Sequence, residues 1–155
     1  MFLIKINIGE TTLKKNYKLL LMVIFLLFLA SCKNTEKEYY KKLLVSENNS
    51  KNSPSGLYQL SLTLQNDNGQ DYHYYSFKIT DNNNNNVMYT SDEKYYRRHT
   101  LFLCWDDIEH IVWCYSGDIG TFYWINIENN WVKYPYTYNE NIPKVLRELR
   151  SNVFK

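Results

Sequence analysis

From residue 57 onward the chain alternates apolar and polar side chains, and this period of two constrains the fold more than any other feature. Leu60, Leu62 and Leu64 fall on one side and Gln59, Ser61 and Thr63 on the other, as in a strand with one buried face. Asn66-Asp67-Asn68-Gly69 then supplies a turn, since Asn-Gly accepts positive φ. Residues 72–80 resume the pattern with Tyr75, Phe77 and Ile79 on one face. The two segments predict an antiparallel hairpin.

Further strands follow. Asp81 and the five asparagines after it make a loop tip, because Asn tolerates left-handed backbone and hydrogen-bonds locally. Residues 87–90 read as a short strand and residues 91–98 as polar and irregular. Residues 99–105 and 110–115, around Asp106-Asp107-Ile108-Glu109, carry apolar side chains at consecutive positions, as strands buried on both faces do. Ser116-Gly117-Asp118-Ile119-Gly120 turns the chain into residues 121–127. Glu128-Asn129-Asn130 leads to residues 131–134, stopped by Pro135. Ile142, Val145, Leu146 and Leu149 then recur at helical spacing, with Asn141 as the expected N-cap and Pro143 in the first turn. The expected fold is mainly β: an antiparallel meander of about seven strands, as a curved sheet, sandwich or small barrel, with one C-terminal amphipathic helix of about nine residues. Trp105-Asp106 and its tryptophan-rich neighbours loosely resemble a single β-propeller blade, but no repeat of about 40 residues is present.

The N-terminus has a different logic. Lys14, Lys15 and Lys18 precede an unbroken apolar run over residues 19–29. As a helix this run is about 16 Å long, roughly half a bilayer's hydrocarbon thickness. Leu29-Ala30-Ser31-Cys32 closes it: a branched apolar residue, two small ones, then a thiol. The segment resembles the signal peptide and lipobox of bacterial lipoproteins. That resemblance implies cleavage before Cys32, lipid on the Cys32 sulfur, and a protein held on the cell envelope, facing outside the cytoplasm.

On this reading residues 1–31 are removed, residues 32–56 are a lipidated cysteine and flexible tether, and residues 57–155 are a single β-rich domain. The tether assignment rests on the Lys, Glu, Asn and Ser that fill it, although Tyr39, Tyr40, Leu43, Leu44 and Val45 suit a short helix. Loss of the leader removes four lysines and one glutamate, leaving 14 basic and 15 acidic groups from the 18 and 16 of the whole chain. A net charge near −1 argues against nucleic acid as a partner.

The candidate chemistry is sparse. Cys104 and Cys114 invite a disulfide in an oxidising compartment, but a turn at Asp106–Glu109 sets Trp105 opposite His110 and Cys104 opposite Ile111, which favours buried thiols. His73, His99 and His110 show no metal-ligand spacing, and Asp81, Asn83, Asn85 and Asp92 only faintly follow a calcium loop; neither metal nor cofactor is expected. Asp106, Asp107, Glu109 and Asp118 are the carboxylates nearest the aromatic strands, and a pair of them would serve an envelope glycan hydrolase. The aromatic content, 26 residues including 15 tyrosines, points instead to a recognition surface for a protein or glycan. Tyr74, Tyr96, Tyr123, Trp124 and Trp131 are its candidate residues. The expected role is therefore a non-enzymatic binding module on a lipid anchor, with the hydrolase as the alternative.

Overall fold

A computed structural model describes residues 20–22, 36–66, 72–107, 110–138 and 141–154. The chain divides into two compact units, Met1–Glu38 and Tyr39–Lys155, and the second holds every strand described below. Cys32 and the Asn66–Gly69 turn beyond Asn66 lie outside the described residues.

The chain is mainly β, as its alternation implied, and nine strands among the described residues form two antiparallel sheets with no closed barrel. The first sheet contains β1 (Lys51–Asn52), β2 (Tyr58–Asn66), β3 (His73–Asp81) and β4 (Val87–Thr90) in that order, with β5 (Tyr95–Tyr96) also paired to β3. The second contains β6 (Leu101–Trp105), β7 (Ile111–Ser116), β8 (Gly120–Ile127) and β9 (Asn130–Pro135) in that order. Among the described residues, 20–22 and 36–43 are helical, the latter stretch labelled α1, and α2 is Lys144–Leu149.

The predicted hairpin forms with Leu60 opposite Ile79, Leu62 opposite Phe77 and Leu64 opposite Tyr75. These side chains face the second sheet, and Leu60, Phe77 and Ile79 share one core with Leu103, Val112, Cys114 and Trp124. Directed bonds join the two sheets. Trp124 Nε1 donates to the Tyr89 hydroxyl at 2.8 Å, Asn126 Nδ2 to the Tyr58 hydroxyl at 3.0 Å, and Trp105 Nε1 to the Lys51 carbonyl at 2.8 Å. Lys133 of β9 pairs with Glu93.

The opposite face of the second sheet is covered as well. Cys104, Trp113 and Tyr115 pack against Ile142, Val145, Leu146 and Phe154, and Tyr40 of α1 joins them. This third layer explains why β6 and β7 carry apolar residues at consecutive positions. Helix α2 is shorter than its periodicity suggested. Pro143, not Asn141, is the residue before its first turn, and no side chain caps it. Proline fits there because its backbone lacks the N–H that a first turn leaves unpaired.

Three expectations need correction. Residues 39–56 are not a free tether, because Tyr40, Val45 and Ser53 are buried and the Val45 N–H donates to the Leu103 carbonyl at 2.8 Å. Pro54-Ser55-Gly56 is the turn that joins β1 to β2, with Gly56 at φ 75°. Residues 91–98 are not wholly irregular: Ser91 Oγ accepts the Phe77 N–H at 2.9 Å, and β5 resumes pairing with β3 beyond it. The β6–β7 register differs by two residues from the expected one, with Trp105 opposite Val112 and Cys104 opposite Trp113. The loop is longer, closed by the Asp106 N–H on the Ile111 carbonyl at 2.8 Å. Cys104 and Cys114 are free and lie on opposite faces of the sheet, because strand side chains alternate and Cys114 opposes Leu103.

Candidate functional site

Two clefts open where β3 exchanges one neighbour for another. β4 pairs with β3 across a register shift between Ile79 and Thr80 and ends at Lys78 opposite Thr90; β5 then takes the same edge of β3, Tyr95 opposite Tyr75 and Tyr96 opposite Tyr74. Alternation sends the Tyr95 ring into the core and leaves Tyr96 half-buried. The Arg97 N–H then donates to the His73 carbonyl at 3.0 Å, and the His99 N–H to the Tyr96 carbonyl at 3.0 Å. The chain turns here, setting Arg97 between two clefts.

The larger cleft, about 370 Å³, opens between the two sheets. Val45, Leu62 and Leu101 supply its apolar lining; Glu47, Tyr75, Arg97 and His99 supply its polar groups. The Tyr75 phenol is pushed up by burial and further by the Glu47 carboxylate that it meets, while Arg97 opposes the shift. His99 Nε2 accepts from Arg98 Nε at 3.2 Å and lies 4.0 Å from Asp118 Oδ2. The buried Ser116 hydroxyl donates to Asp118. Although serine, histidine and aspartate meet here, the serine bonds to the carboxylate and not to the imidazole, so the order required for nucleophile activation is absent.

The smaller cleft, about 300 Å³, is lined among the described residues by Tyr72, His73, Tyr96, Arg97 and Arg98, without a carboxylate. The Arg98 guanidinium lies 5.9 Å from the Tyr96 ring centre, and Lys94 Nζ lies 4.9 Å from that of Tyr74. A third cleft, about 220 Å³, holds Asp106 and Asp107 beside Trp105. Asp106 Oδ2 there accepts the Trp113 indole N–H at 3.0 Å. Asp118 sits past the far end of the six-residue β7, roughly 20 Å away at the rise of a strand, and so cannot pair with these two across one substrate. Glu109 lies outside the described residues.

The five aromatic candidates separate. Tyr74 and Tyr96 are brought together as cross-strand partners. Tyr123 stacks between Trp113 at 4.8 Å and Tyr134 at 5.5 Å, on the face that carries the helices. Trp124 and Trp131 are core residues and offer no surface, which corrects their assignment to recognition. Among the described residues no three His, Cys, Asp or Glu side chains converge as a metal site. The Asn-rich loop is a turn: Asp81 Oδ1 accepts the Asn83 N–H at 2.7 Å, Asn84 Oδ1 accepts the Asn86 N–H at 2.8 Å, and Asn85 adopts φ 59°. Sequence reasoning missed Arg97 and Arg98 and weighed His99 only as a metal ligand. Their signal was the run Tyr95-Tyr96-Arg97-Arg98-His99, a local density of rings and cations in a nearly neutral chain. No protein-family model, curated protein or solved structure matches the chain.

Proposed function

We propose that the chain is an extracytoplasmic lipoprotein, anchored to the bacterial envelope through Cys32, whose folded unit is a non-enzymatic binding module. The observation that carries the binding role is the pair of clefts sharing Arg97, where cationic, phenolic and apolar groups converge on a surface without an activated nucleophile. Support for the anchor comes from Leu29-Ala30-Ser31-Cys32 and the apolar run before it. Against the glycan hydrolase stands the engagement of Asp106 by Trp113, which gives that carboxylate a structural task.

The anchor is tested by expressing the full chain in bacteria, fractionating membranes and weighing the mature N-terminus. The wild type should be membrane-bound and begin at an acylated Cys32; Cys32→Ser should leave the leader uncut or release the protein. A wild type that is cleaved but carries no lipid overturns the anchor. The binding role is tested by capture from envelope extracts with the solubilised full chain: Arg97→Ala should lose a ligand that the wild type retains. Equal capture by both proteins removes the clefts from the proposal. Release of sugar from envelope glycan, abolished by Asp107→Asn, would establish the hydrolase instead.

A further inference from the structure

We infer that the smaller cleft is an oxyanion subsite for an acidic saccharide, taking the carboxylate or phosphate of one sugar on Arg97, Arg98 and His73 and its ring against Tyr72 and Tyr96. This deepens the binding reading above and rests on it. The charge pattern is the first support. Lysine, arginine, aspartate and glutamate nearly balance in the chain after residue 31, yet Arg97, Arg98 and His73 line this cleft and, among the described residues, no carboxylate does. Guanidinium is the side-chain group whose planar fork matches two oxygens of a carboxylate or phosphate. Arg98 spends its Nε on His99 and retains its terminal nitrogens as donors.

The backbone fixes this constellation. Pairing of Tyr96 with Tyr74, and of the Arg97 N–H with the His73 carbonyl, sets the cations of residues 97 and 98 beside His73 at the end of a two-strand ladder. Size then narrows the ligand. About 300 Å³ is the lower end of small-molecule sites, which suits one or two sugar rings and not the anchor residues of a folded partner. Tyr72, 51% exposed, and Tyr96 offer apolar ring faces with hydroxyls at their tips, a combination that serves a ligand with C–H faces and a hydroxyl rim.

The neighbouring cleft gives direction. Glu47 lies across Arg97 in the larger cleft, so an anion is repelled there and attracted on the other side. An oligosaccharide would thus place its acidic residue in the smaller cleft and neutral residues toward Tyr75 and Leu62.

The experiment titrates the detergent-solubilised full chain with glucuronic acid, glucose 6-phosphate, glucose, glycerol 3-phosphate and inorganic phosphate, followed by amide chemical shifts. Glucuronic acid or glucose 6-phosphate should bind at least tenfold more tightly than glucose, and the tighter of the two identifies the anion. Both should also exceed phosphate and glycerol 3-phosphate. Arg98→Gln should lower affinity for the acidic sugar tenfold or more with an unchanged thermal midpoint, and Tyr96→Ala should lower it as well. Glucose binding as tightly as the acids overturns the oxyanion subsite. Glycerol 3-phosphate binding as tightly as glucose 6-phosphate overturns the saccharide in favour of a lipid headgroup. Arg98→Gln without effect overturns the location. If no sugar binds but wild-type chain still captures an envelope ligand that Arg97→Ala loses, the saccharide fails while the binding reading stands; failure of both experiments removes both.

Discussion

The two sheets share one antiparallel chemistry but differ in how many faces they bury. In β7 every residue after Ile111 is buried, whereas in the longer β2 only Leu60 is. The second sheet lies between the first sheet and a layer of helix and C-terminal chain; the outer face of the first sheet contributes to neither core and is half-buried or exposed at every described position of β2 and β3 but Ser76. This difference divides the aromatic residues. All four tryptophans, Trp105, Trp113, Trp124 and Trp131, are 7% exposed or less and belong to the second sheet. The rings left available to a ligand at the clefts are tyrosines, above all Tyr72 and Tyr96. Tryptophan therefore builds the support, and tyrosine with arginine builds the candidate site at the edge of the less buried sheet. A high aromatic count is not by itself a recognition surface.

The largest test of this contrast is Trp124→Ala. Its indole is fully buried, meets Phe77 edge-on at 4.8 Å, and donates to Tyr89. Truncation of such a ring costs about 3–5 kcal/mol, a large part of the roughly 5–15 kcal/mol that holds a domain together. Thr63→Ala, on the exposed face of β2, should stay within about 0.5 kcal/mol of wild type. Urea midpoints decide it, and similar small losses from both would break the contrast.

A second test uses the two thiols, one on each face of the doubly buried sheet. Burial pushes both up from the ordinary 9.0, with carboxylates adding for Cys104, and Cys114 reaches about 12 despite an opposing hydrogen bond from Tyr95. Above pH 9 the unfolded chain therefore loses thiol protons that the folded chain keeps. Stability should fall as pH rises, by about 1 kcal/mol per thiol, or roughly 2 for the pair, between pH 9 and 10. Thermal or denaturant midpoints of wild type against the Cys104→Ala/Cys114→Ala variant isolate this slope, because Lys133 and the tyrosines other than Tyr95 contribute equally to both, and burial, the largest cause of the Tyr95 shift, remains in the variant. Half of that excess slope would mean that one thiol reaches solvent and the sheet is not closed on both faces, and a wild-type slope no steeper than the variant's would mean that both do.

These contrasts were partly legible in the sequence. Period-two alternation assigned the inner faces of β2 and β3, consecutive apolar residues marked β6 and β7 as doubly buried, and the stripe Ile142, Val145, Leu146 found the docked face of the C-terminal segment. What failed was whatever depends on a distant partner. Residues 39–56 look like a tether because few of them are apolar, yet Tyr40 and Val45 suffice to dock the segment, and its main-chain bond goes to Leu103. The two-residue β5 exists only because β3 offers an open edge, and no local propensity announces it. Arg97 and Arg98 inherit that difficulty: their meeting with His73 follows from the β3–β5 pairing. Trp124 and Trp131 were assigned outward for a related reason, since a half-buried strand and a core strand rich in aromatics have similar composition.

The smallest effect belongs to the outer face of the first sheet, where polar bonds do the work that apolar burial does elsewhere. Gln65 Nε2 donates to Ser76 Oγ at 2.8 Å, and the Tyr74 hydroxyl donates to Gln65 Oε1 at 3.0 Å. Each such bond replaces one to water, so its net contribution is about 0.5–1.5 kcal/mol and not its strength in isolation. Tyr74 is half-buried and can regain a water partner when Gln65 is removed; Ser76 is buried and regains one less readily. Gln65→Ala should therefore cost about 1 kcal/mol, and Ser76→Ala in the same background should cost less than it does alone, because the shared bond has already gone. A double-mutant cycle on urea midpoints measures this coupling. A Gln65→Ala loss as large as that of Trp124→Ala would mean that the outer face is a second core, and the division between supporting sheet and site-bearing sheet would fall. A loss near 1 kcal/mol sharpens it, because the sheet that carries the clefts would be the one whose outer surface can be changed without unfolding the protein.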